Sequence, residues 1–160
     1  MSGMRTKFLG LIVVVCLLSA GACFADAFKG TWKLNPAKSK IGKGAGRINV
    51  VNYEFEFPGL RTKVLVDGVT GSGHAYHSAW EGRFDGQDRP VTGDPMSDSR
   101  SYTKVNENTL DFTVKKGGHV VGGGRIVVAA DEKTRTVTSW SMDSKGKKIK
   151  SISFYDRAHD

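Results

Sequence analysis

The sequence predicts an all-β domain, an antiparallel up-and-down β-barrel of about 8–10 strands. Three observations carry that expectation. Short runs of alternating apolar and polar residues recur along the chain, a turn signal follows almost every run, and no long stretch has the period of an amphipathic helix. At 160 residues and 39% hydrophobic side chains, the chain is one domain with a real core and too apolar to be disordered. Its 20 glycines follow no collagen period, and no solenoid or propeller repeat is present.

Residues 1–25 read as a secretory signal peptide. Arg5 and Lys7 give the basic start, 8–18 is an unbroken apolar run, and small residues follow. Cleavage after Ala22 or after Ala25 both fit, the second leaving the domain 26–160. An uncleaved anchor and a lipoprotein acylated on Cys23 are the alternatives. Cleavage after Ala25 removes both cysteines, so the exported domain would hold together without a disulfide. The expected location is the periplasm or the exterior, with no transmembrane span once the leader is gone.

The strands follow in order. Residues 28–34 form the first, ended by Asn35-Pro36, and 37–47 is a basic, Gly-rich connection. Residues 49–57 place Val51, Tyr53, Phe55 and Phe57 on one face and Asn52, Glu54 and Glu56 on the other. After Pro58-Gly59 comes 62–67, closed by Asp67-Gly68. Residues 74–84 put His74, Tyr76, Ser78, Trp80, Gly82 and Phe84 on one face. A loop with two prolines fills 87–98. Hairpins follow over 100–105 with 109–115, and over 119–130 with 134–142. The last strand is 149–156. Nine strands in a meander would leave two open edges. Closure into a barrel removes them, and a two-sheet sandwich is the competing layout.

Known catalytic and metal patterns are largely missing. His74 and His77 point to opposite faces, and no cluster of convergent ligands supports a metal site. There is no Gly-x-Ser-x-Gly elbow. Glu54 and Glu56 share a polar face, which suits solvated surface better than acid/base work. Asp85, Asp88 and Asp94 suit turns. Gly122-Gly123-Gly124 lacks the lysine and helix of a phosphate loop, and its strand-like neighbours point to a bulge or sharp bend. The expectation is a protein that is not an enzyme and uses no cofactor or metal. The formal charge of +8 concentrates at Lys38, Lys40, Lys43 and Arg47 and at Lys145, Lys147, Lys148 and Lys150. Export and the lack of interleaved aromatics argue against nucleic acid. An anionic lipid or an acidic cell-wall polymer is the more available partner, beside the plain alternative of solvated loops.

Gly30-Thr31-Trp32 in the first strand and Arg157 after the last resemble the shared signature of the calycin superfamily, which covers lipocalins, fatty-acid-binding proteins and avidins. The resemblance implies that Trp32 plugs the closed end of the barrel with the Arg157 cation over its ring. A wider match rests on 30–35 with Lys38-Ser39-Lys40, on Asp85-Gly86 followed by 90–95, and on Tyr102-Thr103-Lys104. It resembles a family of small exported bacterial lipocalin-like proteins of unknown function. That resemblance implies a fold and a location, and no site residues. The connection 35–48 is too short for the two-helix lid of fatty-acid-binding proteins.

The expected function is a monomeric, non-catalytic binding protein holding a small apolar or amphipathic molecule in the barrel. Tyr53, Phe55, Phe57, Tyr76, Trp80 and Phe84 are the candidate lining. The same rings can instead fill the interior. The alternative is a filled barrel that binds anionic envelope material through its basic loops.

Overall fold

The computed structural model describes residues 27–56 and 61–158. The leader expected over 1–25, together with Phe57 and His159, lies outside the described residues. Ten strands are formed: β1 Gly30–Leu34, β2 Arg47–Glu56, β3 Arg61–Val69, β4 Ala75–Gly82, β5 Arg89–Thr92, β6 Ser99–Asn106, β7 Thr109–Lys116, β8 His119–Val128, β9 Thr134–Met142 and β10 Lys148–Arg157. Each pairs antiparallel with its neighbour in sequence, and β1 pairs with β10, so the sheet is a closed barrel. The sandwich is thereby set aside. The closing register is Trp32 opposite Arg157, Lys33 opposite Asp156 and Leu34 opposite Tyr155.

The strand missing from the sequence expectation is β5, inside the stretch 87–98 expected as loop. Arg89-Pro90-Val91-Thr92 carries a proline and is too short to show alternation. Its neighbours impose the pairing: Ala79 and Trp80 of β4 face Thr92 and Val91, and Arg100 and Ser99 of β6 face Arg89 and Pro90. In the preceding turn, Arg89 grips both oxygens of Asp85 at 2.7 Å. That grip, and the Gln87 backbone N–H, hold the Asp85 carboxyl well below the usual carboxylate range.

The connection after β1 also deviates from plain loop. Lys40 exchanges backbone hydrogen bonds with Ile152, its N–H reaching the carbonyl at 2.7 Å and its own carbonyl accepting at 2.9 Å. The short β1 is thus continued along β10, and the seam stays covered over most of its length.

In an antiparallel meander alternate turns lie at the same end. The β1–β2, β3–β4, β5–β6, β7–β8 and β9–β10 connections therefore ring one end, the mouth. The other end holds the β4–β5, β6–β7 and β8–β9 turns, Ala27 and Arg157. The interior at this far end is filled by side chains. Phe28 and Trp32 are fully buried. The Trp32 indole N–H donates to the Phe28 carbonyl at 3.0 Å. The Phe28 ring meets Tyr53 and Phe84, and Phe84 in turn meets Phe55, Trp80 and Tyr102.

Arg157 lies with its guanidinium 4.2 Å from the Trp32 ring centroid. It donates to the carbonyls of Ala27 at 2.7 Å and Glu132 at 2.6 Å, and also to that of Lys29. One side chain thus stacks on the plug, holds the chain entering β1 and pins the β8–β9 turn.

The three glycines of β8 do mark a bulge. Val114 pairs with Gly122 and Lys115 with Val120, which leaves Val121 as the extra residue. They also permit close backbone approach. A Cβ on Gly124 would collide with the Thr138 carbonyl oxygen and sit 2.8 Å from the Ser139 Cα. Gly124→Val is therefore expected to lower stability by about 1–3 kcal/mol through overpacking against backbone. The urea midpoint reads this; an unchanged midpoint would show that β8 and β9 separate freely.

Candidate functional site

Inward-facing positions change character from the far end to the mouth. The lower interior is aromatic. On β8, β9 and β10 the upper inward positions are small: Gly122, Ser139, Ser141, Ser151 and Ser153. Where large rings fill one half and hydroxymethyl groups line the other, volume is left over. A cavity of about 210 Å³ occupies that half. Tyr76, Arg100, Phe112 and Val114 also line it. Ala45, Thr70, Asp94 and Met96 border it from the mouth connections, and Ile48 and Met142 from the adjoining ends of β2 and β9.

Three charged residues line the site, Arg47, Asp94 and Arg100, of which Arg100 shares the inward face of β6 with Tyr102. The Arg100 side chain is 11% exposed and that of Asp94 is 5% exposed. The guanidinium Nη1 donates to the Tyr102 hydroxyl at 3.3 Å, and Nη2 lies 3.6 Å from Asp94 Oδ2, beyond hydrogen-bond reach. The buried Nε has no hydrogen-bond partner among the described residues. Burial works against the charge, but Tyr102, Asp94 and Tyr76 outweigh it, and the group titrates above the ordinary arginine value. Asp94 also serves its own turn, accepting from the Met96 N–H at 2.8 Å and the Ser97 hydroxyl at 2.6 Å.

The cavity floor is Tyr155, whose hydroxyl donates to the Ile48 carbonyl at 3.0 Å. Beneath it sits a second buried arginine. Arg135 is caged by rings, its guanidinium 5.1, 5.2 and 4.6 Å from the centroids of Trp32, Tyr53 and Tyr155. Its Nε and Nη1 have no hydrogen-bond partner among the described residues.

Of the six rings expected to line a ligand space, Tyr76 borders the cavity. Tyr53, Phe55, Trp80 and Phe84 pack into the filled half instead, and Phe57 lies outside the described residues. Trp80 is fixed there by its indole N–H, which donates to the Arg100 carbonyl at 2.9 Å. The structural trio Gly30, Trp32 and Arg157 meets at the far end: Trp32 faces Arg157 across the seam, and a Cβ on Gly30 would lie 3.3 Å from Arg157 Nη1.

Sequence reasoning misses the residues that make the cavity. Their signal is serine at period two, Ser139-Trp140-Ser141 and Ser151-Ile152-Ser153, beside the glycine run. Alternation is ordinarily followed through its apolar members, yet here the small polar members are the ones that face inward.

The other candidates are dispersed. Glu54 and Glu56 are exposed and stand opposite Lys63 and Arg61. His77 pairs with Asp67 on the outer face. His74 sits in the β3–β4 turn against the Ser72 hydroxyl at 3.0 Å. Among the described residues no three potential metal ligands gather.

No protein-family model matches this chain, and no curated protein matches it. Among solved structures it is similar to "EF1p2_mFAP2b bound to DFHBI", with 12% identity over 84% of this chain and 96% of that one and a TM-score of 0.49. It is also similar to a redesigned β-barrel, mFAP1, bound to DFHBI, with 14% identity over 82% and 95% of the two chains and a TM-score of 0.46.

Proposed function

We propose that this protein is an exported, non-catalytic, lipocalin-like binding protein that holds one small amphipathic molecule at the mouth end of its barrel. The observation that carries the proposal is the cavity of about 210 Å³, whose lining mixes apolar side chains with Arg100 and serine hydroxyls. Ligand sites typically combine such apolar walls with a few convergent polar groups. For scale, an apolar cavity of about 150 Å³ admits benzene, so the occupant is a little larger than a single ring. The Trp32–Arg157 stack supports kinship with calycin-type barrels, and the leader-like 1–25 supports export to the periplasm or beyond.

Native mass spectrometry of the protein purified from its own envelope tests this. The expected result is an added mass that leaves on denaturation; a bare chain that also fails to take up small aromatic or aliphatic probes would count against it.

A second reading has its own observation. The mouth connections and adjoining strand ends carry Lys43, Arg47, Lys116, Lys145 and Lys147, with Met96 and Val120 exposed among them. Such a rim suits anionic envelope lipid or polymer. Binding there is expected to collapse as salt rises, whereas occupancy of the cavity is not.

A further inference from the structure

We infer that the outer wall of β8, β9 and β10 binds an acidic polysaccharide, its carboxylates taken by Lys40, Lys148 and Lys150 and its sugar rings lying along Trp140 and Ile152. This surface lies outside the barrel, so the inference stands apart from the occupancy of the cavity.

Register assembles the wall. Along one row Arg125 faces Thr138, Thr138 faces Ile152, and Ile152 faces Lys40. In the next row Gly123 faces Trp140, and Trp140 faces Lys150. Directly paired residues share a face, and the intervening Ser139 and Ser151 turn inward, so both rows point out. Two lysine groups far apart in sequence thus meet on one wall. A groove of about 720 Å³ lies on it, bordered by Thr136, Thr138, Trp140, Lys148, Lys150 and Ile152.

The polar groups of this wall are largely unanswered. The Lys148 ammonium lies 4.0 Å from the Trp140 ring centroid. Among the described residues none of Lys40, Lys148 and Lys150 has a carboxylate partner. Arg125, by contrast, is held by Asp111 at 2.6 and 2.8 Å. The indole N–H groups of Trp32 and Trp80 donate to backbone carbonyls. That of Trp140 has no hydrogen-bond partner among the described residues and is not buried. It lies along Gly123, where a Cβ would come 3.5 Å from Nε1.

Outward residues two apart on a strand are about 7 Å from one another. Ammonium groups so spaced, and on separate strands, do not converge on one small anion. They fit a chain that carries a charge on each repeat. Threonine hydroxyls, an indole N–H and the exposed Val127 and Ile152 suit an occupant that is itself hydroxylated and has apolar C–H faces. A bilayer would desolvate the Asp111–Arg125 pair. Single-stranded nucleic acid needs open ring faces for its bases, and Lys148 covers one face of Trp140.

The test uses polygalacturonate and its methyl ester, which keeps the backbone and loses the charge, titrated calorimetrically into the full-length protein at neutral pH and low salt. The acid form is expected to bind about tenfold more tightly than the ester and to weaken as salt is added. Lys148→Gln with Lys150→Gln is expected to weaken it about three- to tenfold. The equal charge change Lys104→Gln with Lys133→Gln, at the far end, is expected to leave it unchanged. NMR of the unmutated protein covers the case in which a variant does not fold. There polygalacturonate is expected to shift the Trp140 indole N–H resonance and leave those of Trp32 and Trp80 in place. Absence of binding, equal loss from both lysine pairs or an unmoved Trp140 resonance would overturn the inference. A Trp140 resonance that responds to phosphatidylglycerol vesicles and not to polygalacturonate would overturn it too, and make the wall a lipid surface. The cavity reading is untouched by any of these results, because its own test is the added mass.

Discussion

Trp32→Ala is expected to remove about 3–5 kcal/mol of stability, the range for deleting a buried tryptophan, and so a large share of what a domain of this size has. Four losses coincide at this position. The indole is fully buried. Its N–H is the partner of the Phe28 carbonyl, and its ring carries Arg157 at 4.2 Å and Arg135 at 5.1 Å. Trp32 also sits in the five-residue β1, whose pairs with β10 close the barrel. Removing it leaves a hole at the far end and takes one ring contact from each of two guanidinium groups. Chemical denaturation with the midpoint and slope both recorded checks the expectation. Trp32→Phe should recover part of the loss by filling the space, but not the indole hydrogen bond. If Trp32→Ala cost under about 1 kcal/mol, in the range of a surface change, the far end would not be the plug described above.

Raising the pH through the alkaline range should unfold the protein at an unusually well-defined point. Burial pushes Tyr53 from an ordinary 10.0 to about 12, with Arg135 opposing. Burial, helped by the Asp94 charge, does the same to Tyr76, also to about 12. Tyr155 shifts in the same direction for the same reason. The sign follows from linkage. A phenol whose pKa is higher in the folded state adds stability that is fully present below pH 10, because there both states keep the proton. It is lost as pH rises through about 12, because the unfolded chain ionises first. At about 1.4 kcal/mol per unit for each group, Tyr53 and Tyr76 together account for on the order of 5 kcal/mol across that window. Circular dichroism and tyrosinate absorbance followed together against pH should therefore change in one step. Tyr76→Phe, which keeps the ring and drops the titrating hydroxyl, should move that step upward. Tyrosinate appearing gradually near pH 10 with the fold intact would mean that these phenols meet solvent.

The pairing of Trp32 with Arg157 is expected from the resemblance of Gly30-Thr31-Trp32 and Arg157 to the calycin signature, and β1 and β10 bring the two opposite each other. Period-two alternation places Val51, Tyr53 and Phe55 on one face of β2, and Tyr76 and Trp80 on one face of β4, as found. Local pattern suffices there because a strand's side-chain period is two whatever the strand pairs with. The lysine-rich tips and the polar face of Glu54 and Glu56 are legible for the same reason.

Closure, depth and emptiness are not. Whether Leu34 meets Tyr155 in a barrel, or the strands divide into two sheets, depends on contacts 121 residues apart, and no local pattern encodes them. The four residues of β5 form a strand because β4 and β6 supply partners, against the tendency of Pro90. Alternation identifies an inward face but not the height of a residue along the barrel. Height is what sorts Tyr53, Trp80 and Phe84 into the filled half and leaves Tyr76 at the cavity. The cavity itself arises where small residues of three separate strands, Gly122, Ser139, Ser141, Ser151 and Ser153, come to one level. The burial of Arg100 follows from its place beside Tyr102 on β6, under a loop that returns Asp94 to it. Fold class and the composition of each face are thus written into the order of residues along single strands. Which faces meet, and at what level, was decided only in three dimensions, because long-range register is a property of paired strands and not of any one of them.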